Sequence, residues 1–222
     1  MDNICLEEST TEKVTALLHE TVKVILDEHQ TPDSIQKDLL FMLIVVLMIE
    51  NGFLPINDNL EVIDIRTFNM AQLSQWKLPT GICRATFVMS GFTNITVKLI
   101  MSPLGATVLV NLVANELNFE TYSICLPVSR YVVSPQATSI PMIFRDLKHF
   151  SVTFKNKVLS AVKSRILSHY GYASASLIGL PQEVIFKILL NLSVADTLNI
   201  SKTCTRLKIL VDNQSLWHSL FI

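Results

Sequence analysis

Residues 176–222 read SLIGLPQEVIFKILLNLSVADTLNISKTCTRLKILVDNQSLWHSLFI, a series of short helical patterns that opens on a Leu-Pro pair and closes on a Leu-Trp pair. Pro181 suits the first turn of a helix, where its N–H is not needed, and Glu183 then lies where a carboxylate favours the helix dipole. Roughly half of the segment is apolar, and under about 50 residues cannot easily bury so much without disulfides, a metal or a partner. The segment therefore predicts a small all-α module with apolar surface available for binding.

Two interpretations of this segment follow from its pattern. Apolar helical stripes are more often core than interface, so the segment could be a helical subdomain packed on residues 1–170. Alternatively, it is a separate module that binds another protein. The spacing predicts a first helix over 181–191, a helix N-terminal cap at Ser193 with Asp196, and a last helical turn capped by Ser215.

The composition argues against several classes of protein. The 222 residues are 50% hydrophobic and 17% charged, with a net charge of −1, so the chain lacks the basic surface of a nucleic-acid-binding protein. The N-terminus is acidic and polar, unlike a signal peptide, which predicts a reducing compartment with the cysteines as thiols. We expect the protein to be located in the cytoplasm, and a nuclear location also fits the sequence. The apolar run 39–49 is shorter than the about 20 residues of a membrane-spanning helix and predicts a buried core helix instead.

No catalytic, metal-binding or cofactor-binding constellation is recognisable in the sequence. The four cysteines form no C-x-x-C pair, and no histidine lies three or four residues from another histidine or a cysteine. Cys83 beside Arg84 could suggest an activated thiol, but a cysteine packed as a small hydrophobe is the favoured interpretation. We therefore predict a protein that is not an enzyme and holds no cofactor or metal.

The pattern upstream changes from helical to extended and back to helical. A helix is predicted over 10–29, opened by a capping box of Ser9 and Glu12, and an apolar helix over 34–50 ends at Asn51-Gly52. A long helix is predicted over 141–168, broken near Ser151. Between them, β-branched runs with short connections indicate strands in antiparallel pairing. These runs are 87–89, 95–101, 107–113 and 121–126.

This order of elements predicts the α+β class, with an antiparallel sheet flanked by helices and followed by a small all-α module. We expect four segments along the chain. They are an N-terminal amphipathic helix (1–33), an α+β domain (34–170), a linker (171–176) and the helical module (177–222).

The helical module resembles the F-box in the order and spacing of its residues, although Thr197 stands where leucine is common and 203–206 depart from the usual pattern. The resemblance implies docking on the Skp adaptor, which bridges to a cullin within the SCF class of RING ubiquitin ligases. The residues that carry it are Leu180, Pro181, Glu183, Ile188, Leu189, Leu192, Asp196, Cys204, Arg206, Leu207, Leu216 and Trp217. The adaptor-binding residues that it implies are Leu180, Pro181, Glu183, Ile188, Leu192, Leu198 and Trp217.

The region before the module resembles the FP domain, which the 31-kDa proteasome inhibitor shares with one F-box-only protein. An FP-like region followed by an F-box is the order found in that F-box-only protein and its nutcracker-type relatives. The resemblance implies a sheet flanked by helices that pairs with itself or with the proteasome inhibitor. It rests on the helix at 141–168 and on Asp38-Leu39-Leu40, Glu50-Asn51-Gly52-Phe53, Trp76-Lys77-Leu78 and Leu104-Gly105.

Together the two resemblances imply a substrate-receptor subunit of an SCF ubiquitin ligase. The F-box would hold the adaptor, the FP-like domain would dimerise or recruit a partner, and other subunits would carry the catalysis. The alternative is a proteasome-regulatory protein that acts mainly by heterodimerisation with the 31-kDa proteasome inhibitor. These 222 residues contain neither the ubiquitin-like domain nor the Pro-rich tail of larger relatives, which is the pattern of a fragment or a short form.

Overall fold

The computed structural model describes residues 4–28, 32–64, 68, 76–117, 120–172 and 177–220. The chain divides into two units, Met1–Val162 and Lys163–Ile222. Residues 173–176 of the predicted linker, and residues 1–3 and 29–31 of the predicted N-terminal segment, lie outside the described residues.

The first unit contains a five-stranded antiparallel sheet in which each strand pairs with the next along the chain. In the register of the central strands, Met101 is opposite Val110, and Val110 is opposite Ile124. The predicted antiparallel α+β class is therefore confirmed. The sequence pattern does not predict the first strand, which is too short to show alternation and contains Pro55. The strands are β1 (Phe53–Ile56), β2 (Cys83–Met89), β3 (Phe92–Leu104), β4 (Thr107–Ala114) and β5 (Glu120–Pro127).

One face of the sheet is buried and the other is partly open to solvent, because successive side chains of a strand point to opposite faces. In β4 the buried residues are Val108, Val110, Leu112 and Ala114, and those between them are half-exposed. Helix α2 (Pro32–Glu50) supplies a further part of the core, since residues 39–49 are all buried, as the sequence predicts. Among the described residues, no helix is long and apolar enough to cross a membrane.

Helix α1 (Ala16–Glu28) begins later than the predicted residue 10. Thr10 forms a turn in which its Oγ1 accepts a hydrogen bond from the backbone N–H of Glu12 at 3.3 Å, so the predicted capping box of Ser9 with Glu12 is wrong. Thr15 caps the helix instead, because its buried Oγ1 accepts from the backbone N–H three residues further on at 3.2 Å. Short polar side chains that bond to the nearby backbone compete with helix formation, which explains the displaced start.

The helix predicted over 141–168 is interrupted between α4 (Ile140–Ile143) and α5 (Leu147–Phe154), and Ser151 lies inside α5 as a buried residue. The predicted break near Ser151 is therefore wrong. A single π-helical turn, Lys155–Leu159, continues α5 into α6 (Ser160–His169). The helices from α3 onward are α3 (Val128–Tyr131), α4 (Ile140–Ile143), α5 (Leu147–Phe154) and α6 (Ser160–His169).

The π-helical turn keeps a four-residue apolar spacing on one side of the helix. An α-helix turns about 100° per residue, so residues four apart drift by about 40° at each step. The extra residue of a π turn offsets part of this drift. The four residues that it aligns, all fully buried, are Phe150, Phe154, Val158 and Val162.

The second unit contains short helices, consistent with the predicted small all-α module. A 3₁₀ turn at Leu177–Gly179 precedes them. Upstream, Gly171 ends α6 with a φ of 74°, the left-handed conformation expected of a glycine helix stop. The helices are α7 (Gln182–Leu189), α8 (Val194–Ser201), α9 (Thr205–Val211) and α10 (Gln214–Leu220).

Candidate functional site in the C-terminal helices

The module folds around a small apolar core of its own, built by α7, α9 and α10. The buried members are Ile185, Leu189, Leu207, Leu210, Val211 and Leu216. A ring of partly buried side chains packs against them: Leu180, Phe186, Leu192, Ile200, Cys204 and Trp217. Part of the apolar pattern that the sequence shows is therefore explained by this core.

Specific capping residues determine where the helices of the module begin. Pro181 is the N-cap of α7 and not its first helical residue as predicted, and its carbonyl accepts from the N–H of Ile185 at 3.1 Å. Ser193 caps α8 as predicted, since its Oγ accepts from the N–H of Asp196 at 3.1 Å. The predicted cap at Ser215 is wrong, because the Oδ1 of Asn213 accepts from the N–H of Ser215 at 2.9 Å. Asparagine is among the preferred N-cap residues, so the signal lay two residues upstream.

The structure separates the predicted adaptor-binding residues into three groups. Leu180 and Leu192 pack on the core, as does Trp217, whose indole N–H donates to the carbonyl of Val211 at 2.6 Å. Ile188 is half-buried. The residues of the set that are exposed are Pro181, Glu183 and Leu198.

Two pairs of apolar side chains point away from the module core. On α7, Val184 is 41% exposed and precedes the half-buried Ile188 by one helical turn. On α8, Val194 and the 45% exposed Leu198 have the same spacing. We call these four residues the outward pairs. Val184 and Val194 are not among the predicted adaptor-binding residues, although spacings of four residues mark side chains on one helix face.

Thr197 is a local defect of the module. It is fully buried in α8, and its hydroxyl has no hydrogen-bond partner among the described residues. Burying a hydroxyl without a partner is unfavourable. The departure that the sequence shows at this position, threonine where leucine is common, therefore has a structural consequence.

The candidate reactive cysteine of the first unit is not activated. Cys83 is fully buried, and burial, with a smaller contribution from the Asp38 carboxylate, raises the pKa of its thiol to about 12. Lys77 acts in the opposite direction but does not offset this. A thiol must ionise to act as a nucleophile, so Cys83 is packed as a small hydrophobic residue. Within the described residues there is no group of three or more His, Cys, Asp or Glu side chains that could hold a metal ion.

Comparison with known proteins points to the same module. Residues 177–222 match the family model described as F-box-like. The chain is 24% identical over 200 residues, 87% of its length, to F-box only protein 7 of Bos taurus, and 24% identical over 199 residues to that of Homo sapiens. It spans 37% of the length of each of these curated relatives. Residues 177–222 thus form an F-box-like domain, in a chain that is similar to F-box only protein 7 over most of its length.

Proposed function

We propose that this chain is a non-catalytic substrate-receptor subunit of an SCF-type cullin–RING ubiquitin ligase. In this proposal the F-box-like domain docks on the Skp adaptor, and the adaptor bridges to the cullin. The match of residues 177–222 to the F-box-like family is the observation that carries the proposal. We expect the ligase complex to act in the cytoplasm or nucleus. We keep the predicted segments of this chain, 1–33, 34–170, 171–176 and 177–222, as part of the proposal.

The outward pairs support a docking role for the module. Their four apolar side chains do not belong to the module core. Because exposed leucine and valine do not stabilise a small domain, binding is the better explanation for these residues. Protein interfaces draw most of their affinity from a few apolar anchors that become desolvated on binding. We assign the contact to the outward pairs together with Pro181 and Glu183. Leu180, Leu192 and Trp217 then support that surface from the core side.

The first unit takes the recruiting role in this proposal. Its FP-like sheet and helices would dimerise, or bind the 31-kDa proteasome inhibitor or a substrate. The similarity to F-box only protein 7 covers 87% of the chain and so extends well beyond the F-box-like domain, which supports a shared role for this region. The alternative function, proteasome regulation by FP-like heterodimerisation, places the main activity in this unit.

A charge placed on the outward pairs tests the docking. We expect Leu198→Glu and Val184→Glu each to lower the affinity for the Skp adaptor by about tenfold or more, because a carboxylate would be desolvated in an apolar contact. The affinity is measured by size-exclusion chromatography and calorimetry on the full chain.

Ile209→Glu is the matched control, because Ile209 is 66% exposed on α9 but does not belong to the outward pairs. It should leave adaptor binding unchanged. Failure of the original chain to bind the adaptor at micromolar concentration would contradict the proposal. So would an equal effect of the Ile209 and Leu198 variants.

The two candidate functions differ in what Leu198→Glu does in cells. If the chain is a ligase receptor, the variant loses activity together with adaptor binding. If the chain acts by heterodimerisation, the variant keeps its activity, because residue 198 lies outside the FP-like region. Binding of the purified 31-kDa proteasome inhibitor to the 222-residue variant provides the biochemical measurement.

A further inference from the structure

Residues 4–9, which precede α1, form a short segment that is fastened to the first unit at two neighbouring residues. We call this segment the arm. The side chain of Leu6 is fully buried, and its backbone N–H donates to both carboxylate oxygens of Glu50 at the end of α2. The carboxylate of Glu7 accepts a hydrogen bond from Nζ of Lys155 at 2.6 Å. The residues that hold the arm, which we call the arm site, are Glu50, Ser151 and Lys155.

The stretch that follows the arm, residues 10–13, has the properties of a hinge. All four of its residues are exposed, and no residue between Leu6 and Val14 is buried. The stretch forms a local turn, in which the N–H of Thr10 donates to the carbonyl of Lys13 at 2.8 Å. This turn can therefore open without loss of buried apolar contacts. Once extended, residues 4–13 reach about 35 Å, which is far enough to enter a neighbouring molecule.

The arm site is unfavourable when it is empty. Without the arm, the Glu50 carboxylate loses the N–H that it accepts from, and Lys155 loses the carboxylate that neutralises it. The volume that Leu6 fills in the core would become a cavity. Each of these losses is destabilising, because buried polar groups need partners and cavities forfeit packing contacts. An arm that leaves its own site must therefore be replaced by an equivalent segment.

We propose that two copies of this chain exchange their arms, so that the arm of each copy occupies the arm site of the other. The segment seated in the site is the chain's own, which identifies a second copy as the occupant. Exchange keeps every contact of the arm, including the pairing of Glu7 with Lys155, so it costs only the association of the two copies. The inference rests on the proposed dimerisation of the first unit, which would bring a second arm close to the site, and it names the element exchanged.

Cross-linking of the original chain tests the exchange directly. A carbodiimide joins a carboxylate and an amine as an amide without a spacer, so it reports the ion pair of Glu7 with Lys155. Unlabelled and 15N-labelled chains are mixed in equal amounts, incubated and cross-linked, and the dimer fraction from size-exclusion chromatography is digested. We expect about half of the cross-linked peptides to combine one labelled and one unlabelled segment, since exchanged arms come from either population.

Two charge-reversed variants provide an independent test. In Glu7→Lys and in Lys155→Glu, the arm of each chain is repelled by its own arm site. Each arm is nevertheless complementary to the arm site of the other variant, so exchange restores both ion pairs in a heterodimer. Native mass spectrometry of the equal mixture should show heterodimers in about tenfold excess over either homodimer. Random pairing would give an excess of only about twofold.

Glu8→Lys is the matched control for the charge reversal. The carboxylate of Glu8 is exposed and accepts from the N–H of Cys5 at 2.9 Å, within the arm itself. A mixture of Glu8→Lys with Lys155→Glu has the same change of charge, but exchange does not restore both ion pairs. Its dimers should therefore pair at random.

Three results would overturn the proposal. The first is a dimer fraction whose cross-linked peptides all carry a single isotope, which would mean that the first unit dimerises with its arms closed. The second is random pairing of Glu7→Lys with Lys155→Glu. The third is an original chain that stays monomeric at submillimolar concentration. Binding of the Skp adaptor is measured on the same proteins and should be unchanged, so failure of the exchange is distinguishable from failure of adaptor docking.

Discussion

Trp217 shows why a residue of a binding motif need not be a contact residue. Its ring packs on the module core and its indole N–H is hydrogen-bonded to Val211. A substitution there, or at Leu180 or Leu192, would disturb the fold of the module as well as any docking. Exposed positions such as Leu198 are therefore the ones at which docking can be tested alone.

The buried hydroxyl of Thr197 predicts a stabilising substitution. Thr197→Val keeps the shape of the side chain and removes a polar atom that has no partner among the described residues. We expect it to raise the free energy of unfolding of the module by about 1 kcal/mol. Trp217 fluorescence reports this unfolding in a Trp76→Phe background, where it is the chain's single tryptophan.

Thr203→Val is the matched control for this prediction. The hydroxyl of Thr203 is exposed and donates to the carbonyl of Ile200 at 2.7 Å, so its removal should leave the module equally stable or less stable. A loss of stability in Thr197→Val would mean that its hydroxyl has a partner in solution.

The 3₁₀ turn at Leu6–Glu8 shows how one short element joins two distant helices. The N–H of Leu6 donates to both oxygens of Glu50 at the end of α2, at 3.1 and 3.0 Å. The carboxylate of Glu7 accepts from Lys155 at 2.6 Å. The Lys155 hydrogen bond lowers the pKa of Glu7, whereas burial raises the pKa of Glu50. The stability contributions of the two carboxyl groups therefore change with pH in opposite directions.

The ion pair of Glu7 predicts an acid-sensitive contribution to stability. Because the folded pKa is lowered, the contribution is present above the usual value of 4.5 and is lost as the pH falls through the folded pKa. Glu7→Gln should therefore be less stable than the original chain at pH 7, by up to about 1 kcal/mol for a partly exposed pair. The difference should shrink as the pH falls below 4.5 and through the lowered folded pKa of Glu7.

Thermal unfolding of both proteins at pH 7 and at a pH below 4.5 measures this difference in stability. The exposed Glu12 provides the control, since Glu12→Gln should change stability little at either pH. A stability difference between Glu7→Gln and the original chain that stays constant with pH would contradict the assignment to the ion pair. The stability contribution of Glu50 has the opposite pH dependence. Because the folded pKa of Glu50 is raised, its contribution is lost as the pH rises through that pKa.

At the scale of the whole molecule, the proposals assign one binding surface to each unit. Leu198→Glu is expected to remove adaptor binding and to leave binding of the 31-kDa proteasome inhibitor unchanged, because residue 198 belongs to the second unit. Both interactions are measured on the same 222-residue chain. If the variant weakens both interactions, the two surfaces do not act independently.

Local spacing in the sequence determined a large share of the architecture. The alternating runs predicted four of the strands of the antiparallel meander, because a period of two and short connections leave few other pairings. The run 39–49 predicted a buried helix, and the F-box pattern was readable because its residues are local in the chain. The π-helical turn at Lys155–Leu159 was not predicted, since a four-residue apolar spacing also fits an ordinary helix with a wide apolar face.

The tertiary structure decided which apolar residues serve the core and which remain for binding. The helical period places Val184 and Ile185 near each other on α7, but only the packing of α9 and α10 buries Ile185 and leaves Val184 exposed. Glu7 and Lys155 are 148 residues apart, so no local pattern could pair them. The left-handed backbone of Leu60 likewise arises from hydrogen bonds that close its loop. The sequence by itself thus determined the elements and the F-box-like domain, because these depend on near neighbours. Their exposed surfaces depend on contacts between elements, and only the fold brings those together.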